Sequence, residues 1–281
     1  MMTPRVYLFC TRCRAPLLLV AGIITGCGGN SSVVSSPPGS PADVTGNWVL
    51  TANMTAGGSR SIAAYLNSNN GTVSGTAVVG GACPLDCANG CCGGPFCEFN
   101  GLLSGTIDAR GNLTLGSAVP NGGPVFTMRA TAGQGQLNNG TFALTGGCPA
   151  QGTIAATQYP TLAGTYSGTL TSQNTGQAFA ISETVDQSSS PNQHGYFDVS
   201  ATANLSGYAC VTSVTEATPL DQNSGFLGNS FSATMDAAPG GTLFLSGSIA
   251  PDGKTMAANY EYALLGSTCN VDIGSGTLTL Q

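Results

Sequence analysis

The chain has 281 residues, of which only 7% are charged against about 25% in ordinary soluble proteins, so a long charged helix or coiled coil is excluded. Hydrophobic residues at 41%, with a mean hydropathy of +0.15, exclude wholesale disorder, which needs low hydrophobicity and high net charge. The 41 glycines are about twice the usual share and follow no triplet period, which excludes collagen and leaves a turn-rich, all-β chain.

Arg5, Arg12 and Arg14 precede an apolar run from Ala15 to Ile24, and the small residues Thr25 and Gly26 follow. This is the tripartite layout of a secretory signal over residues 1–26. The run is well short of the roughly 20 residues that a membrane-spanning helix needs. Ile24-Thr25-Gly26-Cys27 resembles the lipobox of bacterial lipoproteins. The resemblance implies cleavage before Cys27, acylation of Cys27 and stable tethering, because two or more acyl chains anchor where one binds only marginally. Gly28 stands where an Asp tends to retain lipoproteins of two-membrane cells at the inner membrane, and by that resemblance its absence implies the outer membrane. Cys10 and Cys13 depart with the leader. Residues 27–44 then read as a lipidated cysteine and a Ser/Pro/Gly linker spanning about 20–25 Å as a flexible coil.

The remainder contains four landmarks repeated in one order. Gly46-Asn47-Trp48 matches Gly164-Thr165-Tyr166, and the run Val73 to Cys83 matches Val199 to Cys210. Leu103 to Ile107 matches Leu245 to Ile249, each leading to a turn glycine, Gly111 and Gly253, and a late cysteine follows each time, Cys148 and Cys269. An internal duplication is expected, with one domain over 45–158 and a second over 161–281.

Within each repeat the apolar period is two. Trp48, Leu50, Ala52 and Met54 alternate with polar or small neighbours, as do Phe179, Ile181 and Val185, then Phe197 to Leu205, then Tyr260, Tyr262 and Leu264. These are half-buried antiparallel strands. Asn70-Gly71, Asn139-Gly140 and Pro251-Asp252-Gly253 are expected to be hairpin turns. Seven or eight strands per repeat suit small up-and-down barrels or sandwiches. The Gly-x-Trp start is similar to that of lipocalins. That resemblance implies a cup for a small apolar ligand, with Trp48 across its base and Tyr166 in the same role in the second repeat. Trp48, Tyr166, Phe179, Phe197, Tyr260 and Tyr262 are the candidate pocket walls.

Beyond Cys27, eight cysteines remain, and an even number outside the cytoplasm reads as disulfides. The duplication pairs Cys83 with Cys148 and Cys210 with Cys269. Cys87, Cys91, Cys92 and Cys97 lie in an insertion, 83–97, without a counterpart in the second repeat. Two local disulfides fit them better than a metal site, because adjacent Cys91 and Cys92 strain tetrahedral ligation and the spacings are not C-x₂-C. No cofactor is expected.

No catalytic motif sits in the strand-helix setting its chemistry requires. The single histidine, His194, lies in a turn region. Glu183, Asp186, Glu216 and Asp221 are candidates for the paired carboxylates of a glycan hydrolase, the second alternative. Without the leader, the cations Arg60, Arg110, Arg129 and Lys254 stand against 13 acidic residues, a formal charge of −9. Nucleic acid, which is held by clustered Lys and Arg, is not an expected partner. The expectation is a lipid-anchored envelope protein that binds a small apolar molecule or glycan, with a structural or adhesive surface role as the alternative.

Overall fold

The computed structural model describes residues 39–80, 99–117, 125–145, 149–192, 196–208, 210–211, 213–215, 225–238, 240–263 and 271–281, and every regular element among them is a strand. β1 (Gly46–Met54), β2 (Ser59–Asn69), β3 (Thr72–Gly80), β4 (Phe99–Ile107), β5 (Asn112–Ser117), β6 (Val125–Gly133), β7 (Gln136–Thr145) and β8 (Ala150–Tyr159) form a closed antiparallel barrel in sequence order. β8 returns to pair with β1, Leu50 opposite Ala156.

The second barrel uses β9 (Gly164–Ser172), β10 (Ala178–Pro191), β11 (Phe197–Ser206), β12 (Ser213–Thr215), β13 (Gly225–Leu227), β14 (Ser230–Ala238), β15 (Thr242–Ile249), β16 (Thr255–Ala263) and β17 (Val271–Leu280). β17 pairs with β9, and the β10–β11 ladder completes the ring. β12 and β13 both lie between β11 and β14, so they are two short pieces of one strand position. Each barrel therefore has eight strand positions, and the expectation of barrels or sandwiches resolves to barrels.

The alternation that marks the strands also fills the barrels. In β1, Trp48, Leu50 and Ala52 are buried, and in β10 Phe179, Ile181, Glu183 and Val185 are buried, while the residues between them face outward. Each barrel opens with the same device. An apolar residue two places ahead of a left-handed glycine enters the core: Val44 before Gly46 (φ 141°), and Leu162 before Gly164 (φ 143°). The Trp48 Nε1 donates to the Val44 carbonyl at 2.8 Å, and Asp43 accepts from Thr45 N and Ser68 Oγ. Ala42 and Val44, assigned to the linker by composition, thus pack on the first barrel.

Two of the four repeated landmarks occupy equivalent strand positions, the Gly46 and Gly164 triplets opening β1 and β9 and the Val73 and Val199 runs lying in β3 and β11, while the late cysteines Cys148 and Cys269 fall outside the described residues. The Leu103–Ile107 and Leu245–Ile249 runs are not equivalent: one is in β4, the fourth position, and the other in β15, the sixth. The shared Leu-Ser-Gly start, followed by Thr in one run and Ser in the other, simply suits any strand with a polar outer face. Asn139-Gly140 is also not a hairpin turn. It forms a bulge inside β7, where the pairing shifts between Leu137 and Gly140, and the turn before β7 uses Gln134 and Gly135, both with positive φ. Asn70-Gly71 is a turn as expected, with φ 49° and 83°.

The two barrels touch. Asn47 on β1 is flanked in register by Tyr65 on β2 and Tyr159 on β8, and both tyrosines pack against the second barrel's core. Tyr65 meets Phe197 edge to face at 5.0 Å. Gly228, in the β13–β14 turn, comes so close to Val49, Ala63 and the Trp48 carbonyl that a side chain there would crowd them.

Equivalent cross-strand pairs exchange large and small residues between the barrels. Leu50 faces Ala156 and Ala52 faces Ile154 in the first; Gly168 faces Leu278 and Leu170 faces Gly276 in the second. A Cβ on Gly168 would collide with the Thr277 carbonyl and crowd Leu278. Gly168→Ala should lower stability by about 1–3 kcal/mol in urea unfolding followed by tyrosine circular dichroism. Because the collision is with backbone, adding Leu278→Ala should not restore it; recovery in the double variant would refute this account.

Candidate functional site

The six candidate aromatics do not form one pocket. Trp48 belongs to the first barrel's core and the other five to the second, and all six are at most 3% exposed. In the second barrel, Phe179 stacks on Tyr208 at 4.3 Å and meets Tyr260 edge to face at 5.3 Å, while Tyr208 meets Tyr262 at 6.1 Å. Phe197 lies at the contact with Tyr65. Tyr166 sits beside Glu183 in the register, its hydroxyl 3.4 Å from the Gly253 carbonyl.

The aromatic cluster surrounds a carboxylate that sequence reasoning missed. Asp272, 6% exposed, accepts from Ser172 Oγ at 2.6 Å, Tyr208 OH at 2.8 Å and Tyr260 OH at 2.7 Å. Burial acts to raise its pKa, but these hydroxyls and the Ile273 amide outweigh burial and hold it below the ordinary value. Burial and then the hydrogen bond to Asp272 push the Tyr208 and Tyr260 phenols upward. The arrangement is a locked anion: its lone pairs are taken by fixed donors, which fits it for holding the β11–β12 connection and β17 together rather than for proton transfer. The sequence signal was the inward period of Asp272, Gly274, Gly276 and Leu278. The first barrel has Met54 and Phe142 where the second has Ser172 and Tyr260, so this network is particular to the second.

The carboxylates considered for glycan hydrolysis are not brought together. Glu183 points inward and Asp186 outward on the same strand, and Glu216 and Asp221 lie outside the described residues. Asp272 is no partner for Glu183 either. Leu280 is opposite Tyr166, itself opposite Glu183, and Asp272 lies roughly 25 Å of strand away from Leu280 at about 3.3 Å per residue. Hydrolases of that class need roughly 5–9.5 Å.

Arg60 occupies an inward position on β2, in line with Ile62, Ala64 and Leu66, and its Nε is buried without a hydrogen-bond partner. Cys210 is disulfide-bonded. Cys27, Cys83, Cys87, Cys91, Cys92, Cys97, Cys148 and Cys269, and also His194, lie outside the described residues. Among the described residues no cluster of His, Cys, Asp or Glu could hold a metal ion, and no helix is long and apolar enough to cross a membrane. No protein-family model and no curated protein matches the chain.

Each hydroxyl donor to Asp272 should be worth about 1–3 kcal/mol, as a hydrogen bond to a charged group. Tyr208→Phe and Tyr260→Phe should each destabilise by that amount, and less than additively together, since both donate to Oδ2. The Asp272 contribution is complete above its ordinary value of 3.8 and disappears as pH falls through the lower folded value. Acid unfolding that is unchanged in Asp272→Asn would contradict this.

Proposed function

We propose that the chain is a lipid-anchored protein of the cell envelope that acts through its outer surface, as a structural or adhesive module contacting an envelope polymer or another protein. One observation supports this over a carrier role: the inner faces are occupied by the protein's own side chains. Trp48, Leu50, Leu66, Leu113, Leu115, Met128 and Leu137 are 2% exposed or less in the first barrel, and Tyr166, Tyr262, Leu170, Met235 and Leu245 have none in the second. Eight-stranded barrels either fill in this way or hold one small ligand. What is left for contact is an outer wall of short hydroxyl and amide side chains. Thr169, Thr171, Ser182, Thr184, Thr202 and Asn204 are exposed on adjoining strands. Such a wall suits neutral hydrogen-bonding partners such as glycans, and the low cation content leaves nucleic acid aside.

The anchor rests on the lipobox resemblance at Cys27, and an outer-membrane position on Gly28. An oxidising compartment agrees with the disulfide at Cys210. Cys269 is the partner we assign to it: Tyr208, two residues before Cys210, bonds Asp272, three residues after Cys269. By the duplication, Cys83 pairs with Cys148, and the four insertion cysteines pair among themselves. A second reading, binding of a small ligand, is favoured by Arg60. Its inward guanidinium would receive an anionic group at one end of the first barrel.

Radiolabelled palmitate should enter the wild-type protein and not Cys27→Ala; equal labelling would remove the anchor. Native mass spectrometry of purified protein should show the acylated polypeptide with no further small molecule bound, together with retention on isolated envelope polymer. A co-purifying acidic small molecule that is lost in Arg60→Ala would instead establish the second reading. Peptide mapping without reduction should recover Cys210 linked to Cys269, and any other partner would overturn that pairing.

A further inference from the structure

The second barrel carries a carboxyl group where the first carries a methyl. Glu183 on β10 stands opposite Tyr166, and the same place on β2, opposite Trp48, is Ala64. The Glu183 side chain has no solvent exposure, and neither of its oxygens has a hydrogen-bond partner. Its register neighbour on β11 is Ala203. Tyr166 is the one titratable group beside it in the register. Tyr208, Tyr260 and Asp272 are engaged with one another further along the barrel, and the Tyr262 hydroxyl bonds the Gly240 carbonyl. Asp186, Asp198, Asp236 and Glu261 occupy outward positions, and Asp252 and Lys254 belong to the exposed β15–β16 turn. No cation faces Glu183 from these strands.

A carboxylate in such a place would be a buried, uncompensated charge, whereas a neutral carboxylic acid is tolerated. We propose that Glu183 is an alkali-triggered release built into the second barrel: the barrel closes around the neutral acid, and loss of its proton loosens the β9–β10–β11 wall while the first barrel keeps its fold. Burial pushes this carboxyl up to about 8 from an ordinary 4.5. The unfolded chain therefore holds fewer protons than the folded one between those values. Stability from this group is complete below about 4.5, falls about tenfold in the folding equilibrium for each pH unit above that, and levels off past about 8. Ionised Glu183 would in turn raise the Tyr166 phenol, already raised chiefly by burial.

The full chain permits separate reading of the two barrels. Its single tryptophan, Trp48, reports on the first, and amide hydrogen exchange on β9–β11 reports on the second. Comparing wild type with Glu183→Gln at equal pH cancels the intrinsic rise in exchange. Protection of β9–β11 in the wild type should drop progressively from pH 5 to pH 9 relative to the variant, with Trp48 fluorescence unchanged. Identical pH dependence in the two proteins would overturn the proposal, as would simultaneous loss of the Trp48 signal. Should Glu183→Gln fail to fold, Glu183→Ala, which copies Ala64, serves as the reference. Carbon-13 titration of the four glutamate carboxyls gives an independent reading: one should titrate near pH 8, and four ordinary carboxylates would refute the assignment.

Discussion

Closure of the sheet is the constraint on which this molecule rests. An open sheet ends in strands with unpaired amides and carbonyls, and proteins usually defend such edges with lysines, inward charges or covering helices. This chain has few charges and, among its described residues, no helix. It removes the edges instead, β8 returning to β1 and β11 meeting β10. Once the ring is closed, every strand has one face inside and one in water, so the sequence must alternate. The low charge and the strict period of two are thus two aspects of one solution.

Duplication did not preserve the interior residue by residue. Leu50 with Ala156 becomes Gly168 with Leu278, and Ala52 with Ile154 becomes Leu170 with Gly276. Each cross-strand pair still has one large and one small member, but the large one has changed strands. Close packing constrains the summed volume at a level of the core more tightly than the identity at any one position. The polar residues of the second barrel are a different kind of divergence. Asp272 has its donors supplied by Ser172, Tyr208 and Tyr260, whereas Glu183 has none, and the two carboxyl groups consequently shift in opposite directions. Burial alone does not decide the charge state; the neighbouring hydroxyls do.

The strand pattern was legible because alternation is local. Trp48, Leu50 and Ala52, or Phe179, Ile181 and Val185, announce an inner face without knowledge of what they pack against. Glu183 continues the same inner row between Ile181 and Val185, but as an acid it reads only as a candidate catalytic carboxylate and not as a core residue. Register across the duplication was less legible, because short Leu-Ser-Gly runs recur in strands at different positions, as Leu103 and Leu245 show. Asn139-Gly140 had the composition of a hairpin turn, yet its left-handed backbone serves a bulge. The Asp272 network was hidden because its donors come from positions 172, 208 and 260, brought together only by closure. Val44 and Leu162 carried a readable signal, the same two-residue offset from Gly46 and Gly164, that becomes meaningful once both are seen to enter a core.

Because β1 lies between β2 and β8, and β17 between β16 and β9, neither outermost strand of the described fold can be peeled away one bond at a time. A load applied along β1 must slide it against two ladders at once, so many hydrogen bonds share the force before any of them gives way. Tension reaching the barrels through the chain ahead of Gly46 would meet this shear geometry first, giving the fold a mechanical toughness unrelated to the size of its core.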